Sequence, residues 1–358
     1  MMTSQRWSGG HVSSVLCAGV CCGSEQLMAT GAEGGEVTLW NHDGLPLSKL
    51  HVPGDEDITS VAFSPSSPCV LYASHGQSVS VLDPRKLKTT VTELRDVAEE
   101  EINSLSVNET GGLLAVADDS GVVTVIDAQL EKVTRTLRKH ANICSSVTFR
   151  PHRSQSLLSA GLDMQVMLWT LPKVRPMWSY SLQEASVEGT GQMFNPPLAH
   201  CIDAASCGDV FACAAEDGCV HLLRVSADSR LRGRSMFKAH SQGVSQARFL
   251  NFMSHPYWLT TGGNDGLLAL WDLSEDAAAL DNKMTARKKR SKARAKTKSQ
   301  MSTKEESDSE TRTRVEPKLS LNHGDKVNWL CPAVLRGKLS LLVTDPSPEL
   351  SVYSLDKL

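Results

Sequence analysis

Apolar residues in this chain come in short runs, and many of the runs alternate. Val37 and Leu39, and again Val166 and Leu168, put an apolar side chain at every second position, the period of a strand that buries one face. Gly- and Asp-containing turns such as Gly34-Gly35 and Gly262-Gly263 separate the runs. Together they predict an all-β fold of many short strands. The chain has no stretch of about 18 uninterrupted apolar residues, so a membrane span is not expected. The run Val12 to Cys22 is broken by Ser13, Ser14 and Gly19 and lacks a charged lead-in and a cleavage site. It is read as folded chain rather than a signal peptide.

The runs belong to a repeating unit. It consists of a His, an apolar strand, a polar gap, a second short strand, a Gly/Asp turn, and an alternating strand ending in an aromatic or aliphatic residue. The clearest copy runs from His240 through Gly243 to Phe249 and on to Leu259 to Asp272. A second begins at His140, continues through Ser146 to Pro151 and ends at Leu158 to Trp169; another begins at Gly10-His11 and ends at Met28 to Trp40. Weaker copies span Ile58 to Asp83, Ile102 to Asp127, Ala199 to Leu223 and His323 to Tyr353. The third strands of the seven copies end near positions 40, 83, 127, 169, 223, 272 and 353. Setting aside an insert over 275–315 and an irregular stretch over 183–198 leaves 301 residues. That is seven units of 43, within the roughly 40–45 residues of one propeller blade.

In the order and spacing of these landmarks the sequence resembles the WD-repeat family. The resemblance implies a single domain over 1–358: a seven-bladed β-propeller closed by the N-terminal strand, with a disordered basic insert before the last blade. Ser4 to Trp7 would complete the last blade by pairing with the strand that ends at Tyr353. The family also carries a buried polar chain of Trp, Ser/Thr, His and Asp within a blade. Carried over by motif, that chain is Trp169, Ser159, His140 and Asp163 in the fourth blade, and Trp271, Thr261, His240 and Asp265 in the sixth. An indole N–H donates, a hydroxyl relays, an imidazole bridges and a carboxylate accepts, so each buried group finds a partner. The fifth blade keeps His200 and Asp217 but has Cys213 and Leu223 at the other two positions. The first has His11, Thr30 and Trp40 but Gly34 where the Asp belongs, and blades two, three and seven match less well. The role implied for these groups is structural, not catalytic.

The resemblance further implies a non-enzymatic interaction platform that meets partners on the face holding the His and the Gly/Asp turn. Asn142, Leu162, Glu216, Gln242 and Asn264 are the candidate contacts. A narrower resemblance is to the substrate receptors of cullin-4 ubiquitin ligases, whose repeats often end Trp-Asp-x-Arg and engage the adaptor damaged-DNA-binding protein 1. Leu71 to Arg85 is similar to that box, with Asp83 and Arg85 in place and Leu82 where Trp would stand. The sixth blade has Trp271-Asp272, but Ser274 where the Arg would be. Alternatives are a generic nuclear scaffold or weak nucleic-acid or chromatin association.

Composition changes the picture in two places. The 358 residues carry a formal net charge of −3, which conceals an asymmetry. Lys283 to Arg314 holds twelve Lys/Arg and four Asp/Glu, a balance of +8, and the rest of the chain carries −11. Within it, Arg287, Lys288, Lys289 and Arg290 suit the acidic groove of a nuclear-import receptor. No aromatic residue interrupts the basic run, which argues against base stacking and sequence-selective nucleic-acid binding. Ser302 and Ser307 each have a Glu three positions later in an acidic serine patch, and are candidate phosphorylation sites that would offset the basic charge. The second place is cysteine. Cys201, Cys207, Cys213 and Cys219 recur every six residues in apolar runs, and the sequence has no paired Cys-x-x-Cys. Buried free thiols of an intracellular protein, nuclear or cytoplasmic, are expected rather than disulfides or a metal site. The sequence has no phosphate-cradling Gly-rich loop, no His-Glu-x-x-His and no nucleophile elbow. No cofactor is implied.

Overall fold

In the computed structural model, which describes residues 4–21, 26–186, 195–226, 229–274 and 315–355, the alternating runs become 28 strands in seven four-stranded antiparallel sheets. β1 (Ser4–Trp7) stands apart at the start. Blade 1 is β2 (Val15–Val20), β3 (Met28–Ala32), β4 (Glu36–Trp40) and β5 (Pro46–His51). Blade 2 is β6 (Ile58–Phe63), β7 (Leu71–His75), β8 (Ser78–Leu82) and β9 (Thr90–Leu94). Blade 3 is β10 (Ile102–Val107), β11 (Leu113–Asp118), β12 (Val122–Asp127) and β13 (Lys132–Arg138). Blade 4 is β14 (Cys144–Arg150), β15 (Arg153–Gly161), β16 (Gln165–Thr170) and β17 (Trp178–Ser181), followed by the short helix α1 (Leu182–Ser186). Blade 5 is β18 (Ala199–Ala204), β19 (Val210–Ala215), β20 (Cys219–Val225) and β21 (Leu231–Lys238). Blade 6 is β22 (Val244–Phe249), β23 (Trp258–Gly263), β24 (Leu267–Asp272) and β25 (Leu319–Asn322). Blade 7 contributes β26 (Trp329–Leu335), β27 (Lys338–Thr344) and β28 (Leu350–Ser354), and β1 is its fourth strand.

The closure is antiparallel, with Ser4 opposite Tyr353 and Trp7 opposite Leu350. It unites the two ends of the chain in one sheet and removes the free edge that an open array would leave. The first strands of the blades form the inner ring, β2 beside β6 and so on round to β26 beside β2. The core lies between blades. Seven buried apolar clusters fill the seven seams, for example Cys17, Leu39, Ile58 and Leu71 between blades 1 and 2, and Leu222, Phe237, Val244 and Trp271 between blades 5 and 6. Neither face of a blade can be covered without its neighbours, so the ring is the cooperative unit.

One irregularity recurs. In six blades the inner strand carries a bulge near its start, between Val15 and Cys17, Ile58 and Ser60, Ile102 and Ser104, Cys144 and Ser146, Ala199 and Cys201, and Val244 and Gln246. A bulge re-aims one side chain. The skipped residues Leu16, Thr59, Asn103, Ser145, His200 and Ser245 all line the central channel. The residue after each bulge, where it is Ser or Cys, bonds sideways to the next blade. Ser60, Ser104 and Ser146 accept the N–H groups of Leu105 (3.1 Å), Val147 (3.3 Å) and Ile202 (3.1 Å), while the Cys17 thiol donates to Ile58 O at 3.2 Å.

Candidate functional site

Because neighbouring strands are antiparallel, the turn between the second and third strands lies on one face of the ring, together with the link into the next blade. The turns after the first and third strands lie on the other. Glycine and aspartate build the first kind of turn. In blade 4, Asp163 Oδ1 accepts Gln165 N–H at 3.1 Å and Oδ2 accepts Ala141 N–H at 3.0 Å. This clamps the link that carries His140 to the turn. His140 Nδ1 donates to Asp163 at 2.9 Å, Nε2 faces Ser159 Oγ at 2.7 Å, and Trp169 Nε1 donates to the same hydroxyl at 2.8 Å. Blade 6 repeats the arrangement: His240 Nδ1 to Asp265 at 2.9 Å, Nε2 to Thr261 Oγ1 at 2.8 Å, and Trp271 Nε1 to Thr261 at 3.0 Å. The tautomer follows from these partners, since each carboxylate can only accept. Burial opposes ionisation of Asp163, but the bonds from His140, Ala141 and Gln165 outweigh it and hold the carboxyl below the ordinary carboxylate value. Burial pushes His240 below the ordinary imidazole value against the pull of Asp265.

The structure differs from the motif carry-over in the other blades. His200 is not part of a polar chain. It is the bulge residue of β18, so its ring turns into the channel and Nε2 pairs with Glu216 at 2.7 Å. Asp217 instead lies 3.9 Å from a different imidazole, His221. In blade 1 the missing Asp is replaced by Glu36, two positions after Gly34, where the Asp was expected. Its longer carboxylate reaches His11 Nδ1 (3.3 Å) and Val12 N–H (3.2 Å), and Trp40 and Thr30 complete the chain. Blade 7 carries a variant that the repeat pattern did not reveal, in which His323 bonds Asp345 at 2.9 Å and Tyr353 Oη at 2.7 Å. Blade 3 retains only the carboxylate end, with Asp118 accepting Glu99 N–H at 2.9 Å. The thiols also depart from the six-residue pattern. Cys201 and Cys213 are buried, but Cys207 is exposed because it falls in the turn between β18 and β19.

On the face with the His and Asp turns, Asn142 and Gln242 are exposed; Leu162, Glu216 and Asn264 are half-buried. Glu216 and Asn264 flank Gly243 beside the channel mouth, whereas Asn142 and Leu162 belong to the turns of blade 4. The side-chain oxygen of Asn264 has no hydrogen-bond partner among the described residues. Asp83 and Arg85 lie on the opposite face, in the link after β8. Asp83 caps a single 3-10 turn (Pro84–Lys86) by accepting Arg85 N–H, and the same carboxylate takes two bonds from the Arg85 guanidinium, at 3.0 and 2.8 Å. The hydrogen bond from Arg85 holds the Asp83 carboxyl below its ordinary value. Arg85 is 58% exposed and Asp83 19%.

The channel encloses ≈ 350 Å³. Besides the bulge residues it is lined by Gln246, Arg248, Lys326, Asn328 and Trp329, and Arg248 stacks on Trp329, 4.8 Å from the ring centroid. Sequence reasoning passed over Arg248 and Lys326. A lone cation on an inner strand, or in the link before one, leaves no mark in hydrophobic periodicity. No group of metal-ligating side chains occurs among the described residues, and no helix there is long and apolar enough to cross a membrane. Arg287, Lys288, Lys289, Arg290, Ser302 and Ser307 lie outside the described residues, as does nearly all of the 275–315 segment.

The repeat family described as WD domain, G-beta repeat matches residues 131–170 and 233–272. These are the two stretches whose polar chains have the full Trp, Ser/Thr, His and Asp set. Over 97% of its length the chain is 24% identical to WD repeat-containing protein 53 homolog of Dictyostelium discoideum, covering 93% of that protein. Shorter similarities join it to Histone acetyltransferase type B subunit 2 of Debaryomyces hansenii (26% over 51% of the chain) and Ribosome biogenesis protein YTM1 of Pyricularia oryzae (30% over 42%). The matches span 36% and 32% of those two proteins. With seven blades and the closing strand, the fold is a seven-bladed β-propeller, and the two matched stretches are WD repeats.

Proposed function

We propose that this ring is a non-enzymatic protein-interaction scaffold, a substrate receptor of a cullin-4 ubiquitin ligase whose Asp83–Arg85 pair docks the adaptor damaged-DNA-binding protein 1. The observation that carries the reading is the bidentate clamp. Asp83 fixes the guanidinium plane in one orientation on an exposed rim, so less side-chain entropy is lost on docking than for a freely rotating arginine. The opposite face, with Asn142, Leu162, Glu216, Gln242 and Asn264, is left open for a recruited protein. Adaptor and cargo would then meet two ends of one rigid body.

Affinity purification of the full chain tests this. The wild type is expected to recover the adaptor. Arg85→Ala and Arg85→Lys are expected to weaken recovery by about ten-fold or more without changing the melting temperature, since lysine lacks the planar fork. Adaptor recovery that is equal in all three removes the residue assignment, and no recovery with the wild type removes the receptor reading. The family likeness to proteins named for histone acetylation and ribosome biogenesis supports a nuclear setting for the scaffold. Arg287 to Arg290 are proposed as its import signal, and replacing all four with alanine is expected to abolish nuclear accumulation; an unchanged distribution refutes it.

A further inference from the structure

The charged wall of the channel serves neither the adaptor site nor the polar chains. Arg248 projects from β22 into the channel. Its Nε donates to Gln246 Oε1 at 3.1 Å, and its Cζ lies over the Trp329 ring, 4.8 Å from the centroid. These two contacts fix its direction but use only one of its five N–H groups. The nearest carboxylate oxygen is Asp203 Oδ1, 4.0 Å from Nη1, too far for a hydrogen bond. Asp203 is itself engaged, its Oδ2 accepting Phe249 N–H at 2.7 Å. Burial pushes the Asp203 carboxyl above its ordinary value, against the opposing pull of Arg248, which weakens it as a counter-ion. Arg248 is 19% exposed, and both terminal amino groups lack a hydrogen-bond acceptor among the described residues. Lys326 lines the same channel and makes no ion pair among the described residues. Asn328 and Ser245 add neutral polar groups nearby.

A guanidinium held over an indole, with its outer N–H groups beside an open polar cavity, is half of a charge-assisted fork. We propose that the channel is an oxyanion-binding site, in which Arg248 and Lys326 receive a phosphate or carboxylate group. The planar outer edge of Arg248 offers two parallel donors, the match for two oxygens of one such group. Lys326 adds a point charge at the mouth. The group is carried either by a free phosphate compound or by an acidic or phosphorylated side chain of a partner reaching in along the ring axis.

Calorimetric titration of the full chain separates the two sources, with inorganic phosphate in one arm and a capped peptide bearing a single phosphoserine in the other. Saturable binding in either arm is expected, weakening as salt rises. Binding of both probes assigns the site to the oxyanion itself, and binding of the peptide alone assigns it to a partner's side chain. Arg248→Gln is expected to lower affinity at least about ten-fold, and Lys326→Ala about three-fold or more. Lys326 is exposed, so its variant carries the test even if the buried substitution fails to fold. Absence of binding in both arms overturns the proposal, as does equal affinity in wild type and Lys326→Ala.

Discussion

Blade 5 contains a histidine that should make the ring sensitive to acid. His221 lies on β20, opposite Cys213 on one side and Met236 on the other. It is 2% exposed, and neither ring nitrogen has a hydrogen-bond partner among the described residues. The nearest carboxylate oxygen belongs to Asp217, 3.9 Å away. Burial lowers its pKa from 6.5 to about 4, although Asp217 pulls the other way. The unfolded chain therefore takes up a proton near pH 6.5, and the folded ring does so only near pH 4. Between those values the unfolded state binds more protons, so stability is complete above the upper limit and falls as the pH drops through the interval. A shift of that size is worth about 3 kcal/mol. His221→Leu removes both the titration and the two unpaired nitrogens. The variant is expected to be more stable than wild type by about 1 kcal/mol near neutral pH, the gap widening to about 4 kcal/mol at the acid end. Urea unfolding midpoints measured from about pH 8 to about pH 4 would show this as two diverging curves. His240 and His11, whose pKa values burial also lowers, titrate in both proteins and cancel in the difference. Parallel curves would refute the reasoning.

Two further outcomes follow from the polar chains. Gly161 stands where an added Cβ would meet Ile143 O at 2.7 Å, His140 Nδ1 at 2.9 Å and Asp163 Oδ1 at 3.0 Å. Gly161→Ala is therefore expected to break the blade 4 chain at a cost of about 2 kcal/mol or more, read as a lower urea midpoint; an unchanged midpoint would contradict it. Asp345 accepts bonds from His323 and from Ser347 N–H (2.7 Å), which overcome its burial and hold its carboxyl down at about 2. Its contribution, about 2 kcal/mol, is present above the ordinary carboxylate range and lost as the pH falls toward about 2; Asp345→Asn is expected to lose the acid dependence of unfolding over that interval.

The ring was legible where one physical requirement left one mark. Inner and middle strands are buried on both faces or alternate, so Val37, Leu39, Val166 and Leu168 announced them, and the Gly/Asp turns gave the period. The fourth strands were faint because they form the outer rim: β13 is exposed at its first four positions, so nothing forces Lys132 to Arg135 to alternate. Polar chains were readable where an Asp stands at the usual distance from His140 or His240. They were unreadable where a longer side chain closes the same gap, as Glu36 does, or where Tyr353 takes the place of a hydroxyl on another strand. His200 shows the limit most clearly. A His before an apolar strand was read as a link residue, yet a one-residue bulge places it on the strand and turns it through half a revolution into the channel.

That bulge also explains why one backbone can carry different chemistry in its centre. At the skipped position the chain places Leu16, Thr59, Asn103, Ser145, His200 and Ser245, six residues with little in common. At the next position three serines and two cysteines stand among the six, and those whose bonds are described tie neighbouring blades together around the ring. Sideways cohesion is therefore met by small hydrogen-bonding groups at both positions, since the channel-facing Thr59, Asn103 and Ser145 also donate to Ile102 O, Cys144 O and Ala199 O of the next blade. At Leu16, His200 and Ser245, whose side chains make no described bond to the next blade, substitutions can change what the channel attracts while the seams between blades stay intact. The same separation holds on the outer rim, where the Asp83–Arg85 clamp is built within a single 3-10 turn and no seam residue is needed to hold it. The proposed partner sites thus lie where the fold makes few demands, and a scaffold of this kind can acquire a new partner without rebuilding its core.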